Sequence, residues 1–529
     1  MIESFPDGIS PRESQTRLLS KLNELLSDLK GKKYIVVRAP TGSGKSAICA
    51  TLSNYLESRG ENSYLLCSRR FLQTQYMDDF SSTYANFWGK ANYICPLISA
   101  SCAGCPADSL GTPKAYTRFL RTNCTNKKLG DKCPYISARK KAARAPSTLL
   151  NVEAFMSNSL AGLWSARPLL MVDEAHCLPD RAVSFFEVEA PQWCLPKELR
   201  GLRGKSATAE AKRFGSDSKE ILHILEALSL RKEELAGAAE PVPKYVREGI
   251  EYLSIENMEW VYDQERRTLV PMNTSALLNK FLFSYGERVV LLSATISPNL
   301  VKEIGMNRSN SVFIDLESDW PTSNHKITYF PSLGGLNRRN LPGKSDIMAG
   351  IILSAATKHE GRGIVHAVSY SLVDILKNSI LFKQHAQETR FLWHQKGQPL
   401  EELLAKYVST PGAILVTPSL SEGFDGKGEL LEWQVLAKCP YPYLGEPRVQ
   451  ALTKTKYGKV LFKERAISTL LQSMGRGIRS STDTCHTYVL DKNIGSVLGS
   501  CSRKNSDHYS STPLKFKQLW KSRETVTSI

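Results

Sequence analysis

The stretch that most constrains this chain is Lys33–Ser46, KYIVVRAPTGSGKS. Its apolar run Tyr34-Ile35-Val36-Val37 has the length and composition of a buried strand. A turn of small residues from Ala39 to Gly44 follows, then Lys45-Ser46. From Ala47 to Arg59 the residues Ile48, Leu52, Tyr55 and Leu56 share one helical face, and Gly60 stands where a helix stop belongs. Strand, glycine loop and helix in that order are the context of a phosphate-binding loop. Gly42 and Gly44 let backbone N–H groups fold around phosphates, and the helix N-terminus adds favourable partial charge. Lys45 can reach the β- and γ-phosphates of a nucleotide such as ATP, and Ser46 can hold Mg2+. Ala39 replaces the first glycine of the usual pattern.

A second constellation lies downstream. Pro168-Leu169-Leu170-Met171-Val172 reads as a strand ending in Asp173-Glu174-Ala175-His176. Paired carboxylates at the end of a buried strand suit a nucleotide site: Asp173 can hold the magnesium shell, and Glu174 can orient and deprotonate a water. Further strands are predicted at Asn62–Ser68, Pro146–Val152 and Glu287–Ile296, the last ending in Ser293-Ala294-Thr295. Arg69 to Gln75 puts basic and amide side chains at a strand's end, which suits phosphate contacts on a nucleic-acid track or a plain polar helix start. Near the N-terminus Ser10-Pro11-Arg12-Glu13 predicts a helix start capped by Ser10, with Gln15 in its first turns.

Between these elements Cys95, Cys102, Cys105, Cys124 and Cys133 crowd one window, with Cys102 and Cys105 forming a C-x-x-C pair. Thiolates at such spacings close around zinc or an iron–sulfur cluster, and spacing alone does not choose four of the five. The window is basic, with Lys114, Arg118, Arg121, Lys127, Lys128, Lys132, Arg139, Lys140, Lys141 and Arg144 against Asp108 and Asp131. Asp180–Trp260 changes character: it is rich in Glu, Lys, Leu and Ala, and Lys219–Leu235 has helical periodicity.

After Pro298 a second α/β pattern begins, with strands predicted at Gly363–Val368, Gly412–Val416 and Thr487–Leu490 and a helix at Leu400–Tyr407. Ala466–Ser480, AISTLLQSMGRGIRS, brings Gln472, Arg476 and Arg479 close together on one face if it stays helical, although Gly475 and Gly477 weaken that helix. Such arginines can serve a γ-phosphate held elsewhere. The tail after Ser500 is polar and is expected to be poorly ordered. Across 529 residues, 69 Lys and Arg against 52 Asp and Glu leave a net charge of +17, which favours an extended polyanion as partner. The chain has no basic-then-apolar leader and no long apolar run, so an intracellular protein with no membrane association is expected. In a reducing compartment its 12 cysteines are not a disulfide framework.

The ordered set APTGSGKS (Ala39–Ser46), DEAH (Asp173–His176), SAT (Ser293–Thr295), SEGFD (Ser421–Asp425) and QSMGRGIR (Gln472–Arg479) resembles the XPD/DinG family of iron–sulfur helicases in superfamily 2. CPY at Cys133–Tyr135 and KCPYP at Lys438–Pro442 are similar to further segments of that family. The resemblance covers nearly the whole chain, least in Asp180–Trp260 and the tail. It implies an α/β fold of two RecA-like P-loop motor domains, with an iron–sulfur cluster domain and a helical arch domain inserted in the first. The expected units are residues 1–94, 134–179 and 261–297 for the first motor, 95–133 for the cluster, 180–260 for the arch and 298–529 for the second motor. It further implies that Gln15 reads adenine and that Thr41, Gly42, Gly44, Lys45 and Ser46 hold phosphates and magnesium. Asp173 and Glu174 would hold the metal shell and activate water, and Gln472, Arg476 and Arg479 would face the γ-phosphate. Gly423 and Asp425 would link nucleotide to strand, and Cys95, Cys102, Cys105 and Cys133 would ligate a [4Fe–4S] cluster. The Cys95–Cys102 gap is short for the family and Cys124 competes as a ligand, so zinc stays the alternative. The implied function is a monomeric ATP-dependent DNA helicase moving 5′→3′ on single-stranded DNA and opening duplex or forked DNA, in repair, replication or recombination. Two other readings stand beside it: a DNA-stimulated ATPase that remodels protein–DNA or R-loop structures, and a non-enzymatic nucleic-acid-binding module.

Overall fold

The computed structural model describes all residues except 29–30, 96–98, 103–132, 190–243, 257, 264, 318, 320, 386–389, 419–429, 479–481, 502, 504–512 and 528–529. The first half supplies strands β1 (Tyr34–Arg38), β2 (Ser63–Cys67), β3 (Ala85–Phe87), β4 (Ile94–Cys95), β5 (Ala100–Ser101), β6 (Ser147–Asn151) and β7 (Arg167–Val172). Then come β8 (Val188–Glu189), β9 (Trp260–Asp263), β10 (Thr268–Pro271), β11 (Gly286–Ser293) and β12 (Ser311–Asp315). The remainder supplies β13 (His325–Tyr329), β14 (Gly363–His366), β15 (Phe391–Trp393), β16 (Ile414–Thr417), β17 (Trp433–Leu436), β18 (Cys485–Val489) and β19 (Glu524–Thr525).

Two seven-stranded sheets result, ordered β12-β1-β11-β7-β2-β6-β3 and β15-β16-β14-β17-β18-β13-β19. Every pairing in both is parallel. Parallel strands need cover on both faces, and β1 is buried along its whole length. Its alternate residues feed opposite cores: Tyr34 and Val36 join Phe155, Leu170 and Leu291, whereas Ile35 and Val37 join Leu19, Ile48 and Leu65. The second sheet repeats the plan, with Val365 on one face and Ile364 on the other. This is the two-motor α/β architecture expected from the motifs.

Three features differ from expectation. The first sheet's last strand, β12, lies beyond residue 297: Tyr34 to Arg38 pair with Ser311 to Asp315, and the second sheet starts only at His325. An edge strand that is half-exposed carries a weak hydrophobic signal, which is why the boundary was set too early. The tail is built into the fold: helix Leu514–Lys521 buries Leu519 and Trp520 against Tyr329 and Ile494, and β19 pairs with β13. The N-terminal helix starts at Glu13, with Arg12 rather than Ser10 at its cap, because the Gln15 side chain accepts the Arg12 N–H at 2.8 Å.

The cysteine window and Asp180–Trp260 fall largely outside the described residues, including Lys219–Leu235. What is described at their margins is the β4–β5 hairpin, helix Pro134–Arg144, helix Leu178–Phe185, helix Lys244–Leu253 and a small antiparallel sheet β8-β10-β9. No described helix is long and apolar enough to cross a membrane.

Candidate active site

The loop after β1 feeds helix Lys45–Glu57 through Gly42 and Gly44, both left-handed at φ 76° and 77°. Gly44 is required twice over, since a Cβ there would also lie 2.1 Å from Gln15 Nε2. Gln15 is buried beneath the loop and donates through Nε2 to the Ser43 carbonyl at 2.9 Å, while Arg12 Nη1 donates to the Gly42 carbonyl at 2.6 Å. The structure thus places Gln15 as a brace of the glycine loop. Lys45 is also buried, with Nζ 3.4 Å from the Ala39 carbonyl, 3.5 Å from that of Pro40 and 3.8 Å from Glu174 Oε1.

Asp173 and Glu174 leave the end of β7 beside β1's neighbour β11. The Asp173 carboxylate is buried and accepts from Tyr76 Oη at 2.9 Å and from the Glu174 N–H at 2.8 Å. Burial and then Glu174 push its pKa up to about 6, against the pull of Lys45 and Tyr76. A buried carboxylate so disfavoured as an anion suits a bound cation, and with Ser46 at the start of the P-loop helix it fits magnesium. Glu174 itself sits at φ 50°, a conformation side chains rarely adopt and one that aims it back at the loop. Its Oε2 lies 3.1 Å from His176 Nδ1 and accepts from Ser293 Oγ at 3.4 Å.

The second sheet's domain closes this site. Helix Lys456–Met474 ends beside it and tightens into a 3-10 turn, Gly475–Gly477, so Gln472 is α-helical and Arg476 is not. Gln472 Nε2 lies 2.5 Å from His176 Nε2, Ser468 Oγ donates to Thr295 Oγ1 at 2.7 Å, and Thr41 Oγ1 donates to the Gly475 carbonyl at 2.7 Å. All three tie the second domain to one of the first domain's motifs: DEAH, SAT and the P-loop. Arg476 is buried next to that last contact; with burial, its charge lowers the pKa of His366 to about 4.

Two family models match the chain: the helicase C-terminal domain at residues 352–500 and the res subunit of type III restriction enzymes at residues 8–192. The chain is 20% identical to the ATP-dependent DNA helicase YoaA of Haemophilus influenzae, covering 92% of each chain. It is 22% identical to the probable ATP-dependent helicase MJ0942 of Methanocaldococcus jannaschii, covering 95% of this chain and 94% of that one. Among solved structures it overlays an XPD helicase with a TM-score of 0.63 at 17% identity, covering 98% of this chain and all of the other. It overlays S. tokodaii Xpd4 with a TM-score of 0.58 at 13% identity, covering 93% and 98%. These likenesses support an XPD/DinG-type superfamily 2 helicase.

As an ATP-hydrolysing enzyme of this type, the helicase has its two halves meeting over the P-loop and the carboxylate pair. Of the candidate residues, the structure brings together Gln15, Thr41, Gly42, Gly44, Lys45, Ser46, Asp173, Glu174, Gln472 and Arg476. Arg479, Gly423 and Asp425 lie outside the described residues. Sequence reasoning missed Tyr76, which orients Asp173 from helix Arg70–Phe80, and Ser468, one turn before Gln472. Only the four-residue spacing from Ser468 to Gln472 could have drawn attention to the latter.

Of the two readings of Arg69–Gln75, Gln73 takes the helix-start one, within helix Arg70–Phe80. Gln73 is fully buried and its amide donates to Asn86 Oδ1 at 2.5 Å and to the Phe87 carbonyl at 2.9 Å, so it fastens β3 rather than facing a ligand. Arg70 is exposed and lies 5.4 Å over the Trp88 ring, while Arg69 lines an interdomain cleft of about 670 Å³ with Arg181, His176 and Gln472. In the cysteine window Cys95 and Cys102 are buried on the hairpin side, and Cys133 caps helix Pro134–Arg144. Cys105 and Cys124 lie outside the described residues. Among the described residues no three His, Cys, Asp or Glu side chains are placed to hold a metal.

Proposed function

We propose that this helicase is an ATP-dependent DNA translocase that moves 5′→3′ on single-stranded DNA and opens duplex or forked DNA. The observation that carries the reading is the closed cleft, in which Thr41 of the P-loop bonds to Gly475 and His176 of the DEAH turn to Gln472. Lys45 and the loop amides at Thr41, Gly42 and Gly44 hold the phosphates, and Gln15 fixes the loop and reads the base edge. Ser46 and Asp173 would hold magnesium, which when bound neutralises phosphate charge. Glu174, aimed at the loop by its left-handed backbone, accepts the proton of the attacking water. Gln472 and Arg476 approach from the other domain, and Arg479 is proposed to act with them, so hydrolysis requires closure and product release permits opening. Gly423 and Asp425 link that cycle to the strand.

Affinity for DNA rests on phosphate contacts and base stacking, in keeping with the charge of +17 and with Arg70 over Trp88. Cys95, Cys102, Cys105 and Cys133 are proposed to hold a [4Fe–4S] cluster in the first motor's insertion. Its support is five cysteines in one basic window and the family's character. Residues 180–260 are proposed as the arch.

The test pairs ATPase with strand displacement on forked, tailed and R-loop substrates of both polarities. Lys45→Ala should lose nucleotide binding, Glu174→Gln should bind without turnover, and Arg476→Ala should lose about three to five orders of magnitude in rate. Turnover by Arg476→Ala at the parent rate would remove the assignment. DNA-stimulated hydrolysis without displacement on any substrate would select the remodelling ATPase instead.

A further inference from the structure

Away from the phosphate-binding loop, an ionic cluster joins the same two halves, buried at Glu303 and Arg448 and open to solvent at Asp180. Glu303 ends the short helix Pro298–Glu303 that follows the SAT turn, and its side chain is 3% exposed. Two guanidinium groups from the second domain converge on it. Arg448 Nη2 donates to Oε1 at 2.7 Å, and Arg465 Nη2 donates to Oε1 and Oε2 at 2.9 and 3.1 Å. Arg465 also donates from Nη2 and Nε to Asp180 Oδ1, at 2.7 and 3.2 Å. Asp180 stands in helix Leu178–Phe185, directly after the DEAH turn. Arg448 is further fixed by donating to the carbonyls of Pro271 and Met272 at 2.9 and 3.1 Å.

We propose that Arg465, with Arg448 and Glu303, is a latch that sets the register of the closed cleft, and that Arg465 is a positioning residue for hydrolysis. Nothing in this cluster reaches the phosphate-binding loop, so its influence on turnover runs through placement. Arg465 sits on the helix that carries Gln472, at the start of one stripe facing the first domain: Arg465 to Glu303, Ser468 to Thr295, Gln472 to His176. The acids it joins follow two separate motifs of the first domain, DEAH and SAT, so one side chain sets the helix against both. A buried ion cluster contributes little net stability, because desolvation offsets attraction; what it fixes is geometry. Misplacement of reacting groups by about 1 Å can cost a hundredfold in rate. The cluster forms only when the halves meet in this register, so it is made on closure and broken on opening.

The assignment rests on the cleft being the ATP site, and the test separates the two. Arg465→Met keeps the aliphatic stem and removes the charge; Arg465→Lys keeps the charge and loses the fork. With a saturating oligo-dT strand, Arg465→Met should lower kcat about ten- to a hundredfold and leave KM for ATP and the Kd for ADP within about threefold. The preference for ADP–beryllium fluoride over ADP should fall by the factor seen in kcat. Adding Glu303→Gln to Arg465→Met should cost little more, since the two act as one unit. Parental kcat, or an equal loss in ADP affinity, overturns the proposal; if Arg465→Met does not fold, the same criteria apply to Arg465→Lys. Closure is read independently of turnover from energy transfer between dyes on non-canonical residues at exposed positions 57 and 406. Arg465→Met should lengthen that distance without nucleotide, and an unchanged distance refutes the latch even if the parent proves to hydrolyse no ATP.

Discussion

Gly475→Ala tests whether the closed cleft is the working state. Thr41 Oγ1 donates to the Gly475 carbonyl at 2.7 Å, and a methyl on residue 475 would stand 2.5 Å from that oxygen and 3.5 and 3.6 Å from Thr41 Cγ2 and Cβ. The backbone at Gly475, φ −76° and ψ −2°, accepts alanine, so the contact with Thr41 is the whole obstacle. Turning Thr41 away forfeits a hydrogen bond, about 1 kcal/mol. Keeping it forces the domains apart, and overpacking of this kind costs roughly 1–3 kcal/mol. The two are alternatives, so about 1–3 kcal/mol acts against closure, which corresponds to a fall in kcat of roughly 5- to 150-fold. ADP, held in the proposed function by the first domain alone, should be unaffected. Adding Thr41→Ala removes the offending oxygen and should restore turnover to within about fivefold of the parent, the shortfall being the lost hydrogen bond. The assay is steady-state ATP hydrolysis with saturating single strand, beside ADP titration. Turnover within twofold of the parent by Gly475→Ala, or a double variant clearly slower than the single, would refute the reasoning.

Three other outcomes are expected. Tyr76→Phe removes one of the two hydrogen bonds to the Asp173 carboxylate, so half-saturation of ATPase by Mg2+ should shift about fivefold upward with kcat at saturating Mg2+ nearly kept; an unshifted magnesium curve contradicts this. Burial holds His325 and His366 at pKa values of about 4 against an ordinary 6.5, so the unfolded chain takes up protons first as pH falls; their stabilisation is complete above 6.5 and is lost through the window from 6.5 to 4. At pH 5 each should have lost about 2 kcal/mol, and melting curves of His366→Gln should show a shallower acid dependence than the parent. A Cβ on Gly363 would lie 2.2 Å from the buried Trp433 ring, so Gly363→Ala should destabilise the second domain by about 3 kcal/mol or more, seen as a lowered denaturation midpoint.

The parts of the site that were legible in the sequence are those whose meaning is local. The P-loop, the DEAH turn and the SAT turn each follow an apolar run that ends at a strand's C-terminal edge, and each was found where the run stops. What was hidden depends on partners chosen across the fold. Thr41 and Gly475 are 434 positions apart, and no periodicity near either announces the other. Gln15 was noticed, but its part in holding the loop required knowing that Ser43 lies above it. An amide near arginines, such as Gln73, suits a ligand contact and a helix start equally until β3 is seen to need fastening. The edge strands β12 and β19 carry little apolar signal since one side of each meets solvent or nothing, and their identity comes from the strand they extend.

The small β8-β10-β9 sheet has a consequence for how such motors diversify. The chain departs for residues 190–243 immediately after β8, and β8 is hydrogen-bonded to β10 of the returning segment. The point where the chain enters that segment is therefore clamped on the first domain's flank, and the entropy of closing a connection between fixed ends grows only slowly with its length. Material can be added or trimmed between those ends without shifting β7 or β11, the strands that deliver Asp173 and Ser293. The collar works as a graft union: what is joined there can change while the rootstock keeps one engine.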